Sequence, residues 1–135
     1  MTAKISETKV VKSEGKQGLD KTWEEAIAEL KAPLPDVFEA LRAFLAALGD
    51  DVQEKRLSLY IAFKRLKNFA CIELRKDKLM IYLRLSPDTV QLEAGFSRDV
   101  RNIGHWGTGD LELTVRNEAD FEKAKALLLK SYGES

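Results

Sequence analysis

The hydrophobic period of this chain changes from helical to strand-like near Leu57, and that change most constrains its fold. From Leu57 to Leu85, apolar side chains alternate with polar or small ones, which is typical of strands that bury one face. Two short polar runs interrupt the alternation, Lys67–Asn68 and Lys76–Lys78, and each marks a tight turn. The pattern predicts three consecutive antiparallel strands.

The same alternation predicts which side chains share a face of the sheet. The face that packs on the helices is predicted to carry Leu59, Ile61, Phe63, Leu79, Ile81, Leu83 and Leu85. We call the opposite face the outer face, and it is predicted to carry Tyr60, Lys64, Phe69, Cys71, Glu73, Met80, Tyr82 and Arg84. Aromatic rings and cations are therefore expected to lie side by side on the outer face.

Helical patterns flank these strands in the sequence. Thr22 and Glu25 form a capping box that opens a first helix, and a second helix follows Pro33. A last helix is predicted over residues 118–131, after two further short strands at 90–92 and 111–115.

The predicted elements indicate an α+β fold with two N-terminal helices, an antiparallel sheet of four or five strands and a C-terminal helix. Residues 21–133 are predicted to form a single domain of this class. Residues 1–20 are polar and rich in lysine, so they are predicted to form a flexible tail.

Composition excludes several classes of protein. No apolar run approaches the about 20 residues that span a bilayer, and the first residues lack the apolar centre of a secretory signal. The single cysteine, Cys71, excludes an internal disulfide and a multi-cysteine metal site. We therefore expect a cytoplasmic protein that contacts no membrane and holds no metal or cofactor.

Charge is unevenly distributed although the net charge is zero. Residues 56–84 hold eight basic and two acidic side chains, a net +6, whereas residues 22–55 hold three basic and eight acidic ones, a net −5. On an open sheet, aromatic rings can stack on bases while neighbouring cations bind the phosphates. The predicted nucleic-acid-binding residues are Tyr60, Lys64, Arg65, Lys67, Phe69, Tyr82 and Arg84.

An alternative interpretation applies to the same residues. The tail or a later glycine-rich segment covers the outer face, so that Tyr60 and Tyr82 pack in a half-buried layer. The cations of the turn between the first two strands then serve solubility and protect the sheet edge.

That glycine-rich segment, Ser97–Asp110, contains the only histidine, one of two tryptophans and three of eight glycines. Such loops often carry binding sites, because glycine permits sharp turns around functional side chains. The predicted ligand-binding residues of this loop are Arg98, Asp99, Arg101, His105 and Trp106. Alternatively, His105 and Trp106 lock the loop by packing. A third interpretation pairs His105 with Asp99 or Asp110 as an acid–base couple, but no nucleophile is spaced with them, and no catalytic residue is predicted.

Two segments carry a resemblance to a known family. "YIAFK..KNFA" and "RDVRNIGHWGTGD", with Ser131-Tyr132, resemble a domain of unknown function found at the C-terminus of predicted nucleases and modification-dependent restriction enzymes. The resemblance covers residues 34–133, although Phe63 stands where that family tends to carry tyrosine. The family is distantly similar to YjbR/CyaY-like double-wing domains, which implies a small sheet flanked by helices.

Together the resemblance and the basic strands predict a non-catalytic binding module for DNA or RNA, accessory to nuclease or restriction systems. The alternative is a protein–protein interaction or dimerisation domain that uses the same aromatic face, with a nuclease, another protein or a second copy of the chain as partner. A small-ligand sensor built on the loop around His105 is a third interpretation.

Overall fold

The computed structural model describes residues 16–17 and 21–135, so most of the predicted tail lies outside the described residues. In chain order the elements are β1 (Lys16–Gln17), β2 (Lys21–Thr22), α1 (Trp23–Ala28), α2 (Leu34–Ala46), β3 (Gln53–Arg56), β4 (Ile61–Lys64), β5 (Asn68–Arg75), β6 (Lys78–Leu83), β7 (Ser97–Asp99), β8 (Leu111–Val115) and α3 (Glu118–Gly133). A short 3-10 helix lies at Pro87–Thr89. The α+β class is confirmed.

The main sheet has six strands in the order β3-β4-β5-β6-β8-β7, and every neighbouring pair is antiparallel. The three strands predicted between residues 57 and 85 are β4, β5 and β6. The strand predicted at 90–92 is wrong, because β7 lies at Ser97–Asp99 instead. Strand β3 has the charged sequence QEKR, which carries no apolar alternation and so gave no signal.

The helices begin where local side-chain chemistry predicts. At α1, Thr22 Oγ1 accepts a hydrogen bond from Glu25 N (3.1 Å) and Glu25 Oε1 accepts one from Thr22 N (2.9 Å), a complete capping box. At α3, Asn117 Oδ1 accepts from Asp120 N (2.9 Å). The three helices cover one face of the sheet and bury Trp23, Phe38, Phe121 and the strand residues predicted to face them, including Ile61, Phe63, Leu79, Ile81, Leu83 and Leu85.

A bulge between β4 and β5 changes the alternation. Phe63 pairs with Ala70 whereas Lys64 pairs with Asn68, so Phe69 is an extra residue. Phe69 is fully buried in the helix-facing core, where its ring meets the Tyr132 ring edge-on at 5.4 Å. The prediction that Phe69 lies on the outer face is wrong, because one extra residue reverses the side to which a strand residue points.

Candidate functional site

The connection between β7 and β8 folds back over the outer face. We call residues 100–110 the glycine loop, and its base is closed by a hydrogen bond from Val100 N to Asp110 O (2.9 Å). Val100 is buried in a second, smaller apolar cluster with Ala62, Cys71, Met80 and Tyr82. The outer face is therefore covered at Tyr82, as the alternative interpretation of the sequence predicted.

Two glycines let the backbone of the loop lie directly on the sheet. A Cβ atom on Gly107 would lie 2.7 Å from Cys71 Cβ, and one on Gly109 would lie 2.5 Å from Leu83 O. Gly109 also has φ +137°, a conformation that L side chains rarely adopt. Between them, Thr108 N donates a hydrogen bond to Cys71 Sγ (3.4 Å). No side chain other than hydrogen fits at these two positions without moving the loop.

The two aromatic residues of the loop point in opposite directions. The His105 ring stacks on Tyr82 with centroids 4.4 Å apart and an interplanar angle of 2°. Trp106, which lies between His105 and Gly107, points to solvent and is 64% exposed. Packing is therefore the role of His105, and the packing role predicted for Trp106 is wrong. Within the part of the chain that the structure describes, Trp106 is the one exposed aromatic residue. An exposed tryptophan is more typical of a binding surface than of a residue that stabilises the core.

A buried carboxylate on β8 is paired with a largely exposed arginine on β7. Glu112 on β8 accepts a hydrogen bond from Tyr82 Oη (3.1 Å) and two from Arg98 on β7, at 3.0 and 3.1 Å. Desolvation raises the pKa of Tyr82, and the nearby carboxylates of Glu73 and Glu112 raise it further, so Tyr82 stays a neutral donor. Arg98 thus balances a buried carboxylate. Sequence reasoning missed Glu112, although a glutamate inside an apolar strand is a signal that it needs a partner.

Arg101 of the loop is paired with two carboxylates outside the loop. Arg101 binds Asp88 at 2.9 Å and Asp99 at 2.7 Å, which ties the 3-10 helix to β7, and these bonds hold the pKa of Asp99 below its usual value. The buried Nδ1 atom of His105 has no hydrogen-bond partner, so the His–Asp couple considered as a third interpretation is not formed at that nitrogen. Among the described residues, no three His, Cys, Asp or Glu side chains are grouped as a metal site requires.

The cations at the β4–β5 turn differ in their surroundings. Arg65 is held by Asp51 (Nε to Oδ2, 2.9 Å) and lies over the Tyr132 ring at 4.7 Å, so its charge braces the turn. Lys64, Lys67 and Arg84 have no acidic partner within the described residues, and we call these three the basic end. Of the cations predicted to bind nucleic acid, the structure leaves these three available.

Strand register places the basic end beside the glycine loop. Gly107 and Thr108 of the loop contact Cys71 on β5, and Cys71 pairs with Ala62 on β4. Lys64 lies two residues beyond Ala62 on that strand. Arg84 lies two residues after Tyr82, on which His105 stacks. Two residues of strand correspond to about 7 Å. The unpaired cations and the exposed indole of Trp106 therefore belong to one end of the outer face.

Cys71 offers a direct measure of how firmly the loop is seated. Burial raises the pKa of its thiol to about 11. At pH 8 we expect a thiolate fraction of about 0.1% in the folded protein and about a quarter in the unfolded chain, where the thiol pKa is about 8.5. Reaction with a thiol-disulfide reagent at pH 8 should therefore be slow in buffer and fast in urea. Equally fast reaction in buffer would contradict the covered position of Cys71.

Comparisons with known proteins give a family but no activity. A family model described as a domain of unknown function, DUF5655, matches residues 23–135. An uncharacterized protein of Haemophilus influenzae is 28% identical over 95 residues, which cover 70% of this chain and 32% of that protein. The chain thus matches about a third of the length of this relative. No solved structure matches. In the described part of the chain, no helix is long and apolar enough to cross a membrane.

Proposed function

We propose that this chain, which belongs to the DUF5655 family, is a non-catalytic module that binds nucleic acid through the basic end and the glycine loop. One observation carries the proposal. Three cations without an acidic partner among the described residues lie at the same end of the outer face as the glycine loop. That loop carries Trp106, the one exposed aromatic side chain of that part of the chain.

The charge surroundings favour a polyanion as ligand. Unpaired lysine and arginine side chains can neutralise phosphates and release counterions without first breaking an ion pair inside the protein. Arg65, Arg98 and Arg101 would each have to give up carboxylate contacts before binding a phosphate. The ligand is therefore expected to contact Lys64, Lys67 and Arg84 in preference to those three arginines.

The chemistry of the covered outer face supports binding rather than catalysis. Cys71 is protonated and lies under the loop, Tyr82 donates to Glu112, and the Nδ1 atom of His105 is buried. The thiol and the phenol are therefore not free to attack or deprotonate a substrate, and Nδ1 of His105 is not open to one, in this arrangement.

We also propose that the module acts beside a nuclease or restriction enzyme in the cytoplasm. The resemblance of the "YIAFK..KNFA" and "RDVRNIGHWGTGD" segments supports this setting. The match to about a third of a longer relative agrees with a module that is used within larger proteins. The similarity to YjbR/CyaY-like domains stays a prediction.

Charge reversal at the basic end tests the proposal. We expect fluorescence anisotropy to detect weak oligonucleotide binding at about 50 mM salt, with log K falling as log salt rises. The slope of log K against log salt should become less steep by about 2 in the triple variant Lys64→Glu, Lys67→Glu, Arg84→Glu. Each phosphate contact with a single strand contributes about 0.7 to that slope, and the variant removes three contacts. Arg65 is left unchanged, because its replacement would break the contact with Asp51.

A matched control is available at the opposite end of the sheet. Lys31, Lys76 and Lys78 have no ion pair in the described part of the chain, and the backbone of Lys31 bonds to that of Lys76. Reversing these three changes the net charge equally and should leave the slope nearly unchanged. Equal losses of oligonucleotide affinity in both triple variants would contradict the proposed binding surface. No binding at about 50 mM salt would end the nucleic-acid proposal.

A second candidate function is a protein–protein interaction or dimerisation domain. The observation that favours it is that Ile103, 45% exposed, lies in the same loop as Trp106. Exposed apolar side chains grouped in this way also mark protein interfaces. A dimer that forms with rising concentration in light scattering, together with no oligonucleotide binding, would support this candidate.

A further inference from the structure

We infer that the ligand is single-stranded nucleic acid and that Trp106 stacks on one of its unpaired bases. This inference rests on the proposed function and goes further, because it names the class of nucleic acid and the residue that selects it. Of the three aromatic residues that the sequence suggested for stacking, Phe69 lies in the core and Tyr82 lies under His105. The third, Tyr60, is partly buried and packs against the apolar cluster beneath the glycine loop.

The glycine loop holds Trp106 in an outward position. On one side of it, the His105 ring is stacked on Tyr82, and on the other side Gly107 is in contact with Cys71 and Tyr82. Both anchors are on the sheet, so the indole between them is directed away from it. Because the chain is anchored on both sides of Trp106, little backbone freedom is lost when a base stacks on its ring.

An exposed indole discriminates between single strands and duplexes. Bases inside a duplex are stacked on each other, whereas an unpaired base can stack on an aromatic side chain of the protein. Every base is linked to backbone phosphates, and Lys64 and Arg84 lie about two strand residues, or about 7 Å, from the part of the sheet where the loop is seated. One nucleotide segment can therefore engage the indole and the cations together.

The two tryptophans of the chain provide a spectroscopic test. Trp23 is 1% exposed, and its Nε1 donates to Leu57 O at 2.8 Å, so external ligands should not quench its emission. Titration with a single-stranded oligonucleotide should quench Trp106, and the duplex of the same sequence should quench it much less. In the control Trp106→Phe, the quenching should disappear while binding persists, because the phenyl ring keeps a stacking face.

Removal of the ring should affect single strands selectively. Trp106→Ala should weaken single-strand binding by about 5- to 150-fold, with the salt slope unchanged and duplex binding little altered. Circular dichroism should show that this variant is folded, because the side chain is mostly exposed.

Three results would overturn the inference, and they are distinguishable. Equal affinity for single strands and duplexes, unaffected by Trp106→Ala, would reject the stacking role and leave the proposed function standing. Absence of binding to any oligonucleotide would reject both. Loss of a concentration-dependent dimer in Trp106→Ala, with oligonucleotide binding unchanged, would assign Trp106 to a protein contact.

Discussion

Replacement of Phe69 by alanine is expected to lower the free energy of unfolding by about 3–5 kcal/mol, the range for truncation of a large buried aromatic residue. Phe69 has no exposed surface, its ring meets the Tyr132 ring edge-on at 5.4 Å, and its carbonyl accepts a hydrogen bond from Ser131 Oγ at 2.6 Å. The cavity would open between β5 and α3. Urea unfolding followed by circular dichroism measures the change.

Trp106→Ala is the matched control, since it also removes a large aromatic side chain. Because that side chain is 64% exposed, we expect the free energy of unfolding to change by no more than about 0.5 kcal/mol. A larger loss of stability in Trp106→Ala than in Phe69→Ala would contradict the positions that the structure assigns to the two rings.

Gly109→Ala is expected to lower the free energy of unfolding by about 2–4 kcal/mol, through strain at positive φ combined with overpacking. At φ +137°, the added Cβ would lie 2.5 Å from Leu83 O and 2.8 Å from Leu83 C, both backbone atoms. The sheet cannot yield there, so the loop must lift. Thermal unfolding measures the loss, and faster reaction of Cys71 with a thiol reagent at pH 8 would report the lifted loop.

Gly104→Ala is the control for Gly109→Ala, because it also replaces a glycine of the loop but at a position that does not contact the sheet. No atom lies within 4 Å of a Cβ placed on Gly104, and its φ is outside the left-handed region. We expect its stability to stay within about 0.5 kcal/mol of the wild type. Similar losses in both variants would show that the close approach at Leu83 is not what restricts position 109 to glycine.

Several features of the fold could be predicted because they depend on residues close together in the sequence. The capping box at Thr22 and Glu25, the cap at Asn117 and the alternation from Ile61 onward each involve neighbours within a few positions. Local sterics and hydrogen bonding decide such features, whatever the rest of the chain does.

The candidate site was only partly predictable. The sequence pointed to the glycine loop and to the cations near the β4–β5 turn, but not to which of them are available. Arg65 is held by Asp51, 14 residues away, and Arg98 by Glu112, also 14 residues away. Phe69 was assigned to the wrong face because strict alternation cannot reveal a bulge.

The sequence by itself therefore determined the helix caps, the three consecutive strands β4, β5 and β6, the α+β class and the residues of the proposed binding surface. The tertiary structure decided how those residues are used. It placed Phe69 in the core, stacked His105 on Tyr82, and left Trp106 exposed. The physical reason is that burial and ion pairing depend on which distant segments meet, whereas periodicity and capping depend on the nearest neighbours along the chain.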